Sequence, residues 1–121
     1  MSGDATVEEL TARLGDASLV LLDVRSAAEY AGEAGYPCDP RQGHIPRSLH
    51  VDVAHLLAAV GVEEIRGLVG AAPGAEVIAY CHSGSRSAAA AEILRAAGYD
   101  ARNYAGSWHE WSRHDELPLE R

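Results

Sequence analysis

Val77-Ile78-Ala79-Tyr80 runs directly into Cys81-His82-Ser83-Gly84-Ser85-Arg86, and an alanine-rich helical pattern opens near Ser87. An apolar run, a short Gly/Ser loop and a helix start are the parts of a strand, a turn and a helix N-terminus. The backbone N–H groups of such a turn can face inward, and the helix dipole adds positive potential at the same point. A thiol held there can fall from an ordinary pKa of about 8.5 into a range of roughly 3.5–7.5, so Cys81 reads as a reactive thiolate. Arg86 closes the loop with a fixed positive charge. The plainer reading, a half-buried core cysteine before a serine-rich turn, suits a lone cysteine better than one with Gly84 and Arg86 at this spacing.

The same strand-then-helix alternation continues on both sides. Thr6 to Leu14 reads as a helix with Thr6 as N-cap, Glu9 three residues on and Gly15 as its stop. Leu19-Val20-Leu21-Leu22 sits within a strand from Ser18 to Val24, apolar on both faces as the centre of a parallel sheet requires. Ser26 caps a short helix to about Gly32, with Glu29 as its N3 partner. Glu33 to Arg47 holds Gly35, Pro37, Pro40, Gly43 and Pro46, which rule out regular structure through most of it. Loops of that length are often functional.

A strand over Ser48–Val53, helices over Ala54–Val60 and Val62–Val69, and a strand over Glu76–Tyr80 follow. The clearest helix is Ser87–Ala97, with Ala90, Ile93, Leu94 and Ala97 on one face and Gly98 after it. A strand over Ala101–Tyr104 and a short aromatic helix or turn over Gly106–Ser112 complete an α/β domain, a parallel sheet with helices on both sides. Ligands of open parallel sheets sit beyond the carboxyl ends of the strands, so Asp23 and Arg25 are expected on the same rim as Cys81.

A chain of 121 residues is the size of one domain, taken here as residues 1–121. A formal net charge of −8 argues against a general nucleic-acid or anionic-membrane surface. An anionic substrate would have to be captured by a local positive pocket, and the Cys81 loop is the place for one. Two cysteines, Cys38 and Cys81, imply no disulfide framework. Met1 to Thr6 has no basic and apolar leader pattern, and no run reaches the length of a membrane span. A cytoplasmic setting with reduced thiols is therefore expected.

Four stretches in order resemble the rhodanese family of sulfurtransferases: Leu22-Asp23-Val24-Arg25 with Glu29-Tyr30, then Gly43-His44-Ile45-Pro46, then Cys81 to Arg86, and Gly106-Ser107-Trp108-His109-Glu110-Trp111. The last stretch and the long loop before Gly43 look most like the catalytic half of two-domain thiosulfate sulfurtransferases. The resemblance implies a five-stranded, mostly parallel sheet flanked by helices. It also implies a ping-pong reaction in which Cys81 takes sulfur from a small anionic donor such as thiosulfate. The resulting persulfide is passed to cyanide or to another thiophilic acceptor such as a thiol. A sulfur-relay protein is compatible as a partner; neither cofactor nor metal is implied.

By the same resemblance Cys81 is catalytic, and His82, Ser83, Gly84, Ser85 and Arg86 form the substrate-binding loop. The backbone N–H groups of His82 to Arg86 are all free to donate, and Ser83 and Ser85 add hydroxyls. Arg86 either shapes the loop or binds the donor's sulfonate. Arg25 matches the family's substrate-side arginine, Asp23 is expected to brace the loop, and Arg41 is a weaker candidate anion contact. Four residues separate Cys81 from Arg86. Related phosphatases have five, which widens the loop for a tetrahedral phosphate. The shorter loop, with His82 and Arg86, favours thiosulfate over a phosphatase or arsenate reductase reading. A low-turnover sulfur carrier or persulfide sensor uses the same loop and remains the rival. The family usually continues Gly-His-Ile-Pro with Gly-Ala; Arg47-Ser48 here is expected to alter a turn.

Several residues are better read as structural. Cys38 is more simply a bystander in a proline-rich loop than a thiol that resolves a Cys81 persulfide. His50 and His55 have no Cys or Asp at ligand spacing. His44 suits a turn that bonds backbone. His82 is expected at the mouth of the site, exposed. Trp108 and Trp111 read as packing residues that wall the active loop.

Overall fold

The structure is a computed structural model and describes residues 3–121. In chain order the elements are α1 (Val7–Ala12), β1 (Leu19–Asp23), α2 (Ala27–Tyr30), β2 (Leu49–His50), α3 (Val53–Ala58), α4 (Val62–Val69), β3 (Glu76–Tyr80), α5 (Ser85–Ala96), β4 (Asp100–Asn103) and α6 (Ser107–Trp111). All three strand pairings are parallel and the sheet order is β2-β1-β3-β4. This is the α/β fold expected, with four strands among the described residues rather than five. The missing edge is a single parallel bridge between Ala5 and Tyr104, with the Ala5 N–H on the Asn103 carbonyl. Among the described residues before α1, only Ala5 bridges to the sheet, which is too short for a strand.

The capping chemistry works as expected at α2, where Ser26 and Glu29 satisfy each other's backbone N–H groups in a full capping box. At α1 the Thr6 hydroxyl accepts from Glu9 N–H. Glu9 does not reciprocate; its carboxylate joins Arg13, Glu76 and Arg102 in an ion-pair network. The strand expected over Ser48–Val53 shrinks to Leu49–His50, because Asp52 turns to cap α3 through Ala54 N–H. Arg47 holds a φ of +69°, a left-handed value that glycine would meet without strain, so the altered turn is real.

Alternation along the strands sorts the core into two layers. Leu22, Val24, Val77, Ala79 and Cys81 face α5, with Leu56 of α3 and Val69 of α4. Leu21, Ile78 and Tyr80 face the other way, against Leu10 of α1 and Trp108 and Trp111 of α6. The small residues Ala90, Ala91 and Ala97 let α5 lie close to the sheet. The parity of β3 therefore aims Cys81 at the start of α5. Among the described residues no helix is long and apolar enough to cross a membrane.

Candidate active site

Cys81 is the first residue past β3, and its side chain is 1% exposed. Its sulfur accepts from Gly84 N–H at 3.1 Å, from the Ser87 hydroxyl at 3.2 Å and from Ser87 N–H at 3.4 Å. Burial opposes the charged form and is the largest single influence on the thiol. The Ser87 hydroxyl and the N–H groups of Ser87, Gly84 and Ser83 together outweigh it, and the net shift is downward. The structure thus builds what the loop's composition implied, a buried sulfur met by N–H groups at a helix N-terminus that favour its charged form.

The carbonyls of the loop are drawn away from the sulfur. Trp108 N–H takes the Cys81 carbonyl and His109 N–H takes that of His82, both at 2.9 Å, so the first turn of α6 caps the loop from outside. Asn103 Nδ2 holds the Gly84 carbonyl at 3.1 Å. With the acceptors turned out, the donors face in. Gly84 has a φ of +97°, and a Cβ there would lie 2.7 Å from the Ala105 carbonyl oxygen; only glycine fits. The Ser107 hydroxyl accepts from Cys81 N–H and fixes the strand end.

Ser87 was not among the site residues inferred from sequence. The helix was expected to begin at Ser87, but the left-handed Gly84 ends the loop early and α5 starts at Ser85. That places Ser87 in the first turn, facing the sulfur. Ser83 and Ser85, the hydroxyls expected to serve, are exposed at the surface and make no side-chain hydrogen bond to the sulfur.

Arg86 does not reach over the loop as a free cation. Its guanidinium is held on both Glu29 oxygens, at 2.9 and 3.1 Å. Burial works against the Glu29 carboxylate, but Arg86 and the Ser26 N–H prevail and hold it down at about 2. Glu29 therefore caps α2 and anchors Arg86 at once. The capping role was visible in the local sequence; the ion pair spans 57 residues and was not.

Asp23 and Arg25 lie on the predicted rim, since Asp23 pairs in register with Tyr80. They point to the opposite face. Arg25 is 1% exposed; its backbone N–H and two guanidinium nitrogens donate to Asp23, its guanidinium also donates to the Gly43 carbonyl, and its guanidinium carbon lies 5.1 Å from the Trp108 ring and 5.8 Å from the Tyr80 ring. The expectation that Arg25 meets substrate and Asp23 braces the loop is corrected: the two brace each other and the long loop. One residue of strand parity separates them from the cysteine. Arg41 is corrected likewise; its guanidinium donates to the carbonyls of Trp111, Ser112, His114 and Leu117 and ties the end of α6 to the tail.

His82 is not exposed. It stacks on Tyr36 with ring centroids 3.6 Å apart, and its Nε2 lies 3.0 Å from Asp39 Oδ2. Residues Tyr36 to Asp39 of the long loop thus fold down beside the cysteine loop. Glu29, Gly35, Tyr36 and Pro37 line a shallow cavity of about 270 Å³ beside Arg86. A cavity of about 260 Å³ between α1 and the start of β1 contains none of these residues. Trp108 and Trp111 are fully buried, their indole N–H groups on the carbonyls of Arg41 and Pro118. His44 bonds the Tyr30 carbonyl through Nδ1 and stacks on the Tyr30 ring.

The sequence profile of the rhodanese-like domain family matches residues 6–114. A thiosulfate sulfurtransferase of Pseudomonas aeruginosa is 35% identical over 124 aligned positions, covering 96% of this chain and 45% of the relative. The chain spans about half the length of the curated relatives it matches. A solved structure described as a probable thiosulfate sulfurtransferase is similar at a TM-score of 0.82 and 42% identity, over 98% of this chain and 47% of that one. The human single-domain sulfurtransferase TSTD1 is similar over its whole length and 96% of this chain, with a TM-score of 0.73 and 28% identity.

Proposed function

The chain belongs to the rhodanese-like domain family, and on that premise we propose that it is a thiosulfate-type sulfurtransferase that works through a persulfide on Cys81. The observation that carries this reading is the set of three hydrogen bonds from Gly84 N–H, Ser87 N–H and the Ser87 hydroxyl onto one buried sulfur. Such bonds favour the thiolate, which is the nucleophile.

In the first half-reaction the Cys81 thiolate attacks the outer, sulfane sulfur of thiosulfate. A new S–S bond forms, the S–S bond of thiosulfate breaks, and sulfite leaves with its electron pair. In the second, a thiophile such as cyanide or a thiolate attacks the outer sulfur, and Cys81 leaves as thiolate. Both steps have sulfur leaving groups and need no cofactor. The negative charge is met throughout by backbone N–H groups and the N-terminus of α5. Arg86, paired with Glu29, holds the loop in shape rather than binding the donor. His82, Ser83 and Ser85 contribute backbone to the loop. The two unpaired thiols, Cys38 and Cys81, suit a reducing compartment such as the cytoplasm.

Steady-state turnover with thiosulfate and cyanide tests the reading. Thiocyanate should form with ping-pong kinetics and stop in Cys81→Ser. Persulfide formation without turnover would replace the enzyme by a sulfur carrier loaded by a partner protein. No persulfide at all would overturn both.

A further inference from the structure

Four potential metal ligands from three separate segments meet beside the cysteine loop. Cys38 and Asp39 come from the long loop, His82 from the cysteine loop and His109 from α6. One ligand atom of each lies within 4.8 Å of the others. We propose that Cys38, Asp39, His82 and His109 form a binding site for a borderline divalent cation of the zinc type. The proposal does not depend on the sulfur-transfer reading.

The second observation is a pair of buried polar atoms left without hydrogen bonds. Asp39 is 6% exposed and His82 9%. Asp39 Oδ2 and His82 Nε2 approach to 3.0 Å, yet neither makes an aligned hydrogen bond to any group among the described residues. A buried carboxylate oxygen without a partner costs about 1–3 kcal/mol or more. Lone pairs converging on one point are what a cation satisfies.

The geometry and charge agree. Zinc–nitrogen and zinc–oxygen bonds of about 2.0–2.2 Å and zinc–sulfur bonds of about 2.3 Å place tetrahedral ligand atoms about 3.3–3.8 Å apart. The present atoms lie within 4.8 Å of one another, about 1 Å beyond that range at most. The His82 ring is held in plane by Tyr36, and the His109 ring stands edge-on to it at 5.3 Å and 85°. Asp39 stands between the other three: Oδ1 lies 3.8 Å from Cys38 Sγ and 3.5 Å from His109 Nδ1 and also takes Arg113 at 3.0 Å, while Oδ2 faces His82 Nε2. A thiolate, a carboxylate and two neutral imidazoles balance a divalent charge, with Arg113 as an added cation at the rim. The Cys38 thiol gives up its proton to solvent as it ligates. One thiolate with two imidazoles suits zinc, cobalt or copper and disfavours magnesium and calcium.

The bound cation would tie the long loop and α6 to the residue next to Cys81. It was hidden from sequence because Cys38, His82 and His109 stand far apart there, whereas the histidines that are close, His50 and His55, do not converge.

The test uses Cys81→Ser as parent, so that the second thiol cannot ligate. Titrated with cobalt, the parent should bind one ion per chain, with tetrahedral visible bands and a thiolate-to-cobalt charge-transfer band in the near ultraviolet. Zinc should displace it and raise the thermal midpoint. Adding Cys38→Ser should remove the charge-transfer band, and either this change or His109→Ala should weaken binding at least about tenfold. Cys38 is exposed and the His109 side chain is 47% exposed, so neither change threatens folding. A thiolate-free octahedral spectrum, or equal binding by the parent and both variants, would overturn the site.

Discussion

Cys81 and Arg25 stand at the ends of neighbouring strands, one on each face of the same sheet, and are held in opposite ways. On the α5 face, backbone N–H groups and the Ser87 hydroxyl converge on a sulfur that has no ionic partner in contact. On the α6 face, Arg25 and Asp23 are an ion pair closed off by Trp108, Tyr80 and the Gly43 carbonyl. The first arrangement favours negative charge on the sulfur without neutralising it, as the proposed persulfide chemistry requires. The second neutralises charge and fixes structure. The difference arises from one step of strand alternation.

The comparison breaks most visibly at Arg25. Arg25→Ala leaves Asp23 buried without its cation and should cost about 3–5 kcal/mol in chemical denaturation. At a temperature where the variant is still folded, Cys81 should be alkylated at the wild-type rate. Loss of thiol reactivity without loss of stability would mean that Arg25 belongs to the reactive face after all.

The converse is expected at Ser87. Ser87→Ala removes a hydrogen bond to a charged sulfur, an interaction worth about 1.5–3 kcal/mol. The pH profile of iodoacetamide alkylation should move upward, with Cys81 slower near neutral pH, and denaturation should lose no more than that interaction, less than at Arg25. An unmoved profile would assign the thiolate to the backbone and helix dipole alone.

The smallest effect sits at the Glu29–Arg86 pair, which joins the cysteine loop to α2. The folded Glu29 carboxyl is held at about 2, below its unfolded value of about 4.3. A depressed acid contributes stability above the unfolded value and loses it as pH falls through the folded one. The contribution should therefore fade between about pH 4.5 and 2. Partial exposure of Arg86 screens the pair to about 1 kcal/mol. Glu29→Gln should remove that fraction of the acid dependence, read from denaturation midpoints across the same window.

The fold was legible because its apolar runs are long and its stops are sharp. β3 was read at its observed limits, Glu76–Tyr80, and the loop after it was recognised from Cys81, Gly84 and Arg86 together. What sequence did not carry was direction and distance. Nothing in Asp23-Val24-Arg25 says which face its side chains take until β1 is in register with β3. Ser87 was missed because the helix start was set two residues late, a boundary that hangs on the left-handed Gly84. Glu29 with Arg86, and Cys38 with His82 and His109, are brought together only because α2, the long loop and α6 all meet the Cys81–Arg86 segment at one rim.

The central claim is that one of two thiols carries sulfur because of where it is held. Incubation of the protein with thiosulfate, removal of excess and peptide mapping by mass under non-reducing conditions tests it directly. The account predicts one added sulfur atom on the peptide containing Cys81, none on the peptide containing Cys38, and none anywhere in Cys81→Ser. Sulfur on Cys38 alone, or on neither cysteine, would contradict it.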